Sequence, residues 1–353
     1  EKIKISKEIE KLKKFKQKEL TKKQQNTYMV LMDYLRRQKN LSMYPYYERI
    51  LGKISGQQAQ ILLTLSEYRL KNEKDIKSYF QLLKGLDGYF DSLIEYSKEQ
   101  VKRNLFLSDQ SLKEVLQQIQ NVIKQKENNM LVATFNLRIA DIKGINAAQK
   151  KKYCRENKKL IGTKVLPAYE KLYSHLQALN GNGKNENGLY YYKNGKEYYK
   201  VLVAQKTGSD KTIEEMIEIS DRSIEKCLRK LIKLQKKYPN IINEYRNHKK
   251  NIKIVQNPQN ILNKLRQKMV KYYPKAPKVS CKIKYVHKTM EEYTSPAFYM
   301  VPEIDSYKEN VIYINKAQTA ELYPTLAHEG YPGHLYQNVY RSEERRVGKE
   351  CRS

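Results

Sequence analysis

SLKEVLQQIQNVIKQK, residues 111–126, shows the pattern that decides the fold of this 353-residue chain. Its apolar residues recur every three or four positions, which places them on one face of an amphipathic helix. Ser111 followed by Glu114 three residues later matches a capping box, so we predict that the helix begins at Ser111. Similar segments precede and follow this one, and we therefore expect a mainly α fold.

Helical periodicity dominates residues 1–180, which we predict to form an N-terminal helical region. Asn72 and Asp75 are candidate N-caps within it. Pro167 lacks the backbone N–H that a helix interior requires, so it predicts a kink or a division. The helical segments, as read from apolar spacing, are 1–40, 50–70, 72–83, 89–102, 111–126 and 153–179.

Residues 181–278 are expected to combine a loop, a small hairpin and a helical region. Glycine and asparagine crowd positions 180–188, which is typical of a surface connection. The tyrosine-rich run 189–199 flanks an Asn-Gly pair, and Asn-Gly favours a tight two-residue turn, so this run predicts a β-hairpin. A helix is expected again over 212–238.

A small β-sheet is predicted within residues 279–340, before a helix that carries a pair of histidines. Three runs alternate apolar and polar residues or concentrate β-branched and aromatic ones, which is typical of strands. They are 279–286, 295–301 and 310–315.

The composition changes abruptly at residue 341. The tail 341–353 reads RSEERRVGKECRS, rich in arginine within a chain of 54 lysines and 15 arginines. The codons AGA TCG GAA GAG CGT CGT would encode its first six residues, so we interpret 341–353 as a translated sequencing-adapter artefact and leave it out of fold prediction. We expect both termini to be incomplete, since the chain also begins at Glu1 rather than Met.

The formal net charge of +31 would suit a polyanionic partner such as nucleic acid. The basic residues are scattered, however, and lysine is a poorer phosphate reader than arginine, so we expect no nucleic-acid partner. A basic helical binding module for an acidic polymer or nucleic acid is the alternative function. No run of about 18 apolar residues is present, so we expect no transmembrane segment. The four cysteines show no paired spacing, and the oligomeric state stays open.

The stretch HEGYPGH, residues 328–334, contains residue types that bind and activate zinc. Zinc peptidases use imidazole ligands and a carboxylate that takes a proton from water. In the common H-E-x-x-H motif the histidines lie four residues apart on one helical face. Here they lie six apart, which on a straight helix at about 100° per residue would separate them by roughly 120°.

A helix break at Pro332 and Gly333 would remove that obstacle. Pro332 cannot donate the hydrogen bond that continues the helix, and Gly333 can adopt backbone angles closed to other residues. We therefore predict that the break brings His328 and His334 together around one metal. The competing interpretation is that the two histidines are unrelated residues around an ordinary turn.

Taken with this motif, the rest of the sequence resembles the bacterial domain-of-unknown-function 885 family, whose members carry H-E-x-x-P-G-H. The resemblance covers nearly the whole chain before the tail. It depends on seven segments besides the motif, at 56–68, 75–83, 89–96, 165–169, 195–199, 295–299 and 312–315.

The resemblance implies a helical gluzincin-like metallopeptidase fold, a peptide substrate and a Zn²⁺ cofactor. His328 and His334 would be two of three protein ligands, with Glu329 as the general base. A strand before the motif, around Tyr313 and Asn315, is expected to hold the substrate backbone. Relatives are often exported or lipid-anchored, and for this chain a cytoplasmic location also stays open.

Two departures from the family pattern bear on activity. Many relatives have a second, adjacent histidine where this chain has Leu335. The downstream helix of the family, with an E-G-W-A motif and a carboxylate ligand, is replaced by the tail. We therefore expect the parent protein to be a zinc metallopeptidase and this fragment to bind zinc weakly and lack activity. A catalytically inactive family member is a further alternative.

Overall fold

The computed structural model describes residues 2–350, apart from 54–55, 184–185, 187, 241–242, 245–256, 287, 289–290, 292–293, 303–305 and 319–321. The chain divides into two compact units, Glu1–Ile241 and Ile242–Ser353. The mainly α fold expected from the sequence is confirmed, as is the small sheet near the C-terminal end.

The described part of the N-terminal unit is built from helices, whose two longest connections span residues 42–56 and 178–194. The helices are α1 (Lys2–Lys13), α2 (Lys22–Leu41), α3 (Gln57–Ser66), α4 (Glu73–Lys84), α5 (Leu86–Lys102), α6 (Asp109–Lys124), α7 (Met130–Ala140), α8 (Ala147–Leu160), α9 (Leu166–Gln177), α10 (Gly195–Thr207) and α11 (Ile213–Lys237).

Aromatic side chains fill much of the core of this unit. Tyr79 and Phe80 of α4 both stack on Phe135 of α7, with ring centroids 5.4 and 5.6 Å apart. Phe90 meets Tyr169 edge to face at 4.7 Å, and the Tyr169 hydroxyl donates a hydrogen bond to the Gln58 carbonyl at 2.7 Å. A buried phenol needs a hydrogen-bond acceptor. The Tyr169 side chain therefore both fills space in the core and links α9 to α3 through this hydrogen bond.

Two details of the helices can be compared with the sequence predictions. The predicted start of α6 at Ser111 is wrong, because Ser108 is the N-cap and its hydroxyl accepts a hydrogen bond from the Ser111 N–H. The predicted division at Pro167 is confirmed, since a π-helical turn, Ile161–Val165, separates α8 from α9. Without an N–H, Pro167 cannot continue the regular hydrogen-bond ladder there.

The hairpin predicted over 189–199 is wrong. Gly188–Tyr191 forms a short 3₁₀ turn, and α10 begins at Gly195. Asn194 adopts the left-handed conformation that an Asn-Gly turn would use, with φ of 57°, but it precedes a helix instead. Tyr198 then lies on the inner side of α10, 4.9 Å from the Tyr47 ring, and this tertiary contact favours the helix over a strand pair.

The C-terminal unit places a three-stranded sheet against helices. Its helices are α12 (Pro258–Met269), α13 (Leu322–Glu329) and α14 (His334–Glu350), and its strands are β1 (Ser280–Tyr285), β2 (Ala297–Met300) and β3 (Glu309–Ile314). The strand order is β1-β3-β2. β3 pairs parallel with β1 and antiparallel with β2, so β3 is central and β2 is an edge strand.

The core of this unit lies between the sheet and its helices. It contains fully or nearly fully buried residues from α12, β2, β3, α13 and α14, among them Leu262, Ile312, Leu326, Leu335 and Val339. Because α13 and α14 both contribute to this one core, the connection between them is held on both sides by packed residues.

Candidate metal centre

The connection between α13 and α14 interrupts the helix inside the His-Glu motif. α13 ends at Glu329 and α14 begins at His334, which leaves residues 330–333 outside either helix. The Gly330 N–H completes the last turn of α13 by donating to the Leu326 carbonyl at 2.8 Å. The Gly333 N–H then donates to the Ala327 carbonyl at 3.0 Å, so the chain folds back over the end of α13 before α14 starts.

Gly333 lies where no other residue fits. A Cβ atom at this position would lie 1.6 Å from the His328 carbonyl oxygen and 2.7 Å from that of Ala327. Its φ is not in the positive region where glycine is favoured for conformational reasons, so the glycine is needed for close approach rather than for its backbone angles. This corrects the reason inferred from the sequence.

The fold-back brings the two histidines side by side. The ring centroids of His328 and His334 are 4.7 Å apart and the ring planes are nearly perpendicular, at 83°. Ligand atoms of His328, Glu329 and His334 all lie within 4.8 Å of one another. In the described part of the chain, no other group of three or more His, Cys, Asp and Glu side chains has this proximity.

The two carboxylate oxygens of Glu329 have different surroundings. Oε2 accepts a hydrogen bond from the Tyr299 backbone N–H at 2.8 Å, whereas Oε1 lies 4.0 Å from His328 Nε2. The Glu329 side chain is 12% exposed and that of His328 is 69% exposed. The centre therefore has one anchored, largely buried carboxylate beside a solvent-accessible imidazole.

The register of the sheet explains why the Tyr299 N–H is available. Asn315 N–H donates to the Pro296 carbonyl, one step beyond the Ala297–Ile314 pair. Hydrogen-bonded and non-hydrogen-bonded pairs alternate in an antiparallel ladder. The Phe298–Tyr313 pair is therefore hydrogen-bonded, and the Tyr299–Ile312 pair is not. The Tyr299 N–H consequently points away from β3, at the outer edge of the sheet, where Glu329 accepts it.

The Tyr299 side chain secures this edge strand. Its hydroxyl donates to Asn310 Oδ1 at 2.7 Å, and the Asn310 amide donates to the carbonyls of Ser280 and Tyr307. Burial raises the pKa of the Tyr299 phenol, so the phenol keeps its proton and remains a donor. The anchor of Glu329 is thereby connected to β1 and β3 through hydrogen bonds.

The structure does not bring Tyr313 and Asn315 into the His-Glu group. Tyr313 is buried and stacks on Phe298 at 5.0 Å. Asn315 is fully buried, its amide donating to the carbonyls of Glu291 and Thr294 and its Oδ1 accepting the Ala317 N–H. Both residues support the sheet in these positions.

Sequence reasoning missed the Tyr299 backbone, because a main-chain donor leaves no signature in the residue type. Predicting this contact would have required knowledge of the strand order, which makes β2 rather than β3 the edge strand. Leu335 is fully buried in the core of its unit. The side chain at this position therefore packs with the core instead of joining the donor group.

Comparison with known proteins identifies the fold and the family. A crystal structure described as that of the putative lipoprotein from Colwellia psychrerythraea matches with a TM-score of 0.81 and 15% identity. The match covers 98% of this chain and 66% of the other, so this chain spans under two thirds of that protein, and at this identity the likeness shows the fold. No curated protein matched. The family described as bacterial protein of unknown function (DUF885) matches residues 2–352, and the chain therefore belongs to that family.

Proposed function

We propose that this chain is part of a zinc-dependent peptidase, with His328 and His334 as metal ligands and Glu329 as the general base. One observation carries the proposal: a helix break brings two imidazoles and one carboxylate within 4.8 Å of one another, in residues that a straight helix would separate. Two neutral imidazoles near a carboxylate are the donor set that catalytic zinc sites use.

The residues fit zinc in chemistry and in size. At Zn–N distances of about 2.0–2.1 Å, two nitrogens on a tetrahedral ion lie roughly 3.4 Å apart. The donor atoms here are within 4.8 Å, so small side-chain rotations of His328 and His334 would close the difference. The exposure of His328 gives an ion and a substrate a path from solvent.

Glu329 is held in a position that suits proton transfer. The Tyr299 N–H occupies Oε2, which leaves Oε1 on the side of His328 to accept a proton from water. A bound zinc ion would lower the pKa of that water and polarise the scissile carbonyl. Because the anchor is a backbone N–H on a strand, the carboxylate keeps its orientation without a side-chain partner that could rotate away.

A third protein ligand is needed if Glu329 acts as the base. In the described residues the group contains only two imidazoles besides Glu329. We propose that this ligand is a carboxylate contributed by another segment of the parent protein. This chain would then bind zinc weakly and show little hydrolysis by itself, whereas the parent would be active.

The substrate-facing strand in this proposal is β2. Its outer edge lies beside Glu329, and an extended peptide can add to such an edge by main-chain hydrogen bonds to outward groups other than the Tyr299 N–H, which Glu329 retains. β3, with Tyr313 and Asn315, is paired on both sides and supports β2 from within the sheet. The lipoprotein name of the structural neighbour adds export or lipid anchoring to the proposal. Among the described helices, none has an apolar stretch sufficient to cross a membrane.

The test is Glu329→Gln in the parent protein, with peptide hydrolysis and zinc content both measured. The amide keeps the size of the side chain but cannot take a proton, so we expect turnover to fall about a thousandfold with zinc retained. Glu95→Gln, at an exposed ion pair on α5, is the matched control and should leave turnover unchanged.

Two outcomes would count against the proposal. Unchanged hydrolysis by the Glu329→Gln protein would remove the assigned base. A wild-type parent that binds zinc but hydrolyses no peptide would instead identify a catalytically inactive family member.

A further inference from the structure

Helix α11 presents an apolar face that no described residue of its own unit covers. None of the 25 residues of the helix is buried, and every residue from Ile217 to Tyr238 is exposed. The exposed apolar side chains include Ile217 at 55%, Ile224 at 57% and Leu231 at 49%. A long surface helix normally buries such residues against a partner.

The apolar residues follow a coiled-coil repeat. Positions 217, 224, 231 and 238 are seven residues apart and hold Ile, Ile, Leu and Tyr. The intervening positions 213, 220, 227 and 234 hold Ile, Ser, Cys and Leu. This alternation of three- and four-residue steps over the whole helix is the seam along which two helices pack side by side.

The charges of α11 separate into two halves. Residues 213–225 carry five acidic side chains and one basic, and residues 226–237 carry six basic side chains and no acidic one. The helix dipole favours such a bias only in the first and last turns, so it does not account for the middle of the helix. The acidic residues are Glu214, Glu215, Glu218, Asp221 and Glu225; the basic ones of the second half are Lys226, Arg229, Lys230, Lys233, Lys236 and Lys237.

We propose that α11 pairs with α11 of a second copy of the chain in an antiparallel, two-fold symmetric contact. Antiparallel pairing lays the acidic half of each helix beside the basic half of the other, whereas parallel pairing would place like charges together. The surface is thus complementary to itself, as a symmetric dimer contact requires.

One register satisfies the charges and the apolar seam together. A two-fold axis between residues 225 and 226 places Ile217 opposite Leu234 and Ile224 opposite Cys227. It also sets Ile213 opposite Tyr238 at the two ends. The boundary between the acidic and the basic half of the helix lies on the same axis. The register that aligns the apolar seam therefore also places each acidic half beside a basic half.

The first experiment measures the oligomeric state of the whole chain by sedimentation velocity. We expect a dimer whose dissociation constant rises at least tenfold in the Ile224→Glu/Leu231→Glu double variant. Both side chains are exposed in the monomer, so the helical circular dichroism of the chain should not change. Leu137→Glu, 72% exposed on α7, is the matched control and should leave the dimer intact. A monomeric wild type, or a double variant that dimerises as well as the control, would overturn the proposal.

The second experiment tests the direction of pairing by disulfide cross-linking in a Cys227→Ser background. An Ile213→Cys chain mixed with a Tyr238→Cys chain should cross-link, because residue 213 of one copy lies opposite residue 238 of the other in the seam. The Ile213→Cys chain alone should not, since its two cysteines would be about 38 Å apart along the helices. Efficient cross-linking of that chain alone would demonstrate parallel pairing and refute the antiparallel contact.

Discussion

Replacing Gly333 by alanine should separate the two histidines of the candidate metal centre. The added Cβ would lie 1.6 Å from the His328 carbonyl oxygen, whereas real Cβ contacts are essentially never under 3.0 Å. The two must therefore move apart by about 1.4 Å. The contacted atom belongs to the backbone of α13, which packs in the core of its unit, so it cannot simply rotate away.

The expected cost follows from this displacement. Overpacking of a tight site typically destabilises a protein by about 1–3 kcal/mol, and a clash with a backbone atom belongs at the upper end of that range. Because His334 follows Gly333 directly, the same movement carries its ring away from His328. We expect metal affinity to fall at least about tenfold, as it does when the supports of a metal ligand are disturbed.

Urea denaturation gives the stability change, and cobalt or zinc titration of the parent protein gives the change in metal affinity. Gly88→Ala on α5 is the control, since nothing lies within 4 Å of its added Cβ. Alanine there should stabilise the helix by roughly 0.5–1 kcal/mol and leave metal binding unchanged. If Gly333→Ala matched this control in both measurements, the close approach would not hold the site together.

Three further predictions concern zinc affinity, the sheet and a partly buried thiol. Calorimetric titration of this chain should show zinc binding no tighter than micromolar and none in the His334→Ala variant; a nanomolar site would contradict the need for a third ligand. Asn315→Ala should lower the free energy of unfolding by about 2–3 kcal/mol, because buried carbonyls lose their donor; a change confined to the peptide KM would instead support a substrate contact. Burial raises the pKa of Cys281 to about 11, so about one thiol in a thousand is ionised at pH 8. In the Ile224→Glu/Leu231→Glu variant, where α11 is expected to stay unpaired, alkylation followed by peptide mass spectrometry should therefore find the exposed Cys227 modified at least ten times faster than Cys281, and equal rates would contradict the burial.

Local patterns in the sequence were sufficient for the helices and strands that carry their own periodicity. Apolar spacing predicted the helical N-terminal region, and strand-like runs predicted all three strands of the small sheet. These local patterns failed at Asn194, where the same backbone conformation can belong either to a hairpin turn or to the residue before a helix. Asn194 has the left-handed geometry of a hairpin turn, yet the packing of Tyr198 on Tyr47 makes the following segment helical.

The position of the candidate site could be predicted, but its internal contacts could not. His328, Glu329 and His334 were identified from residue type and spacing. Their six-residue separation required a bend, and residues 330–333 lie outside both helices. The partner of Glu329 was not foreseeable, because the Tyr299 N–H is free only through strand order and register.

The sequence by itself determined the helical character of the chain, its strand segments and the residue types at the candidate metal centre. These follow from side-chain periodicity and chemistry, which act over a few residues. Only the tertiary structure decided that β3 is central and β2 is the edge, that the Asn315 amide donates to the Glu291 and Thr294 carbonyls, and that Gly333 must be glycine. Each of these depends on which backbone and side-chain atoms, beyond a regular helix or strand, come within about 3 Å of one another, and such contacts arise only when the chain is packed.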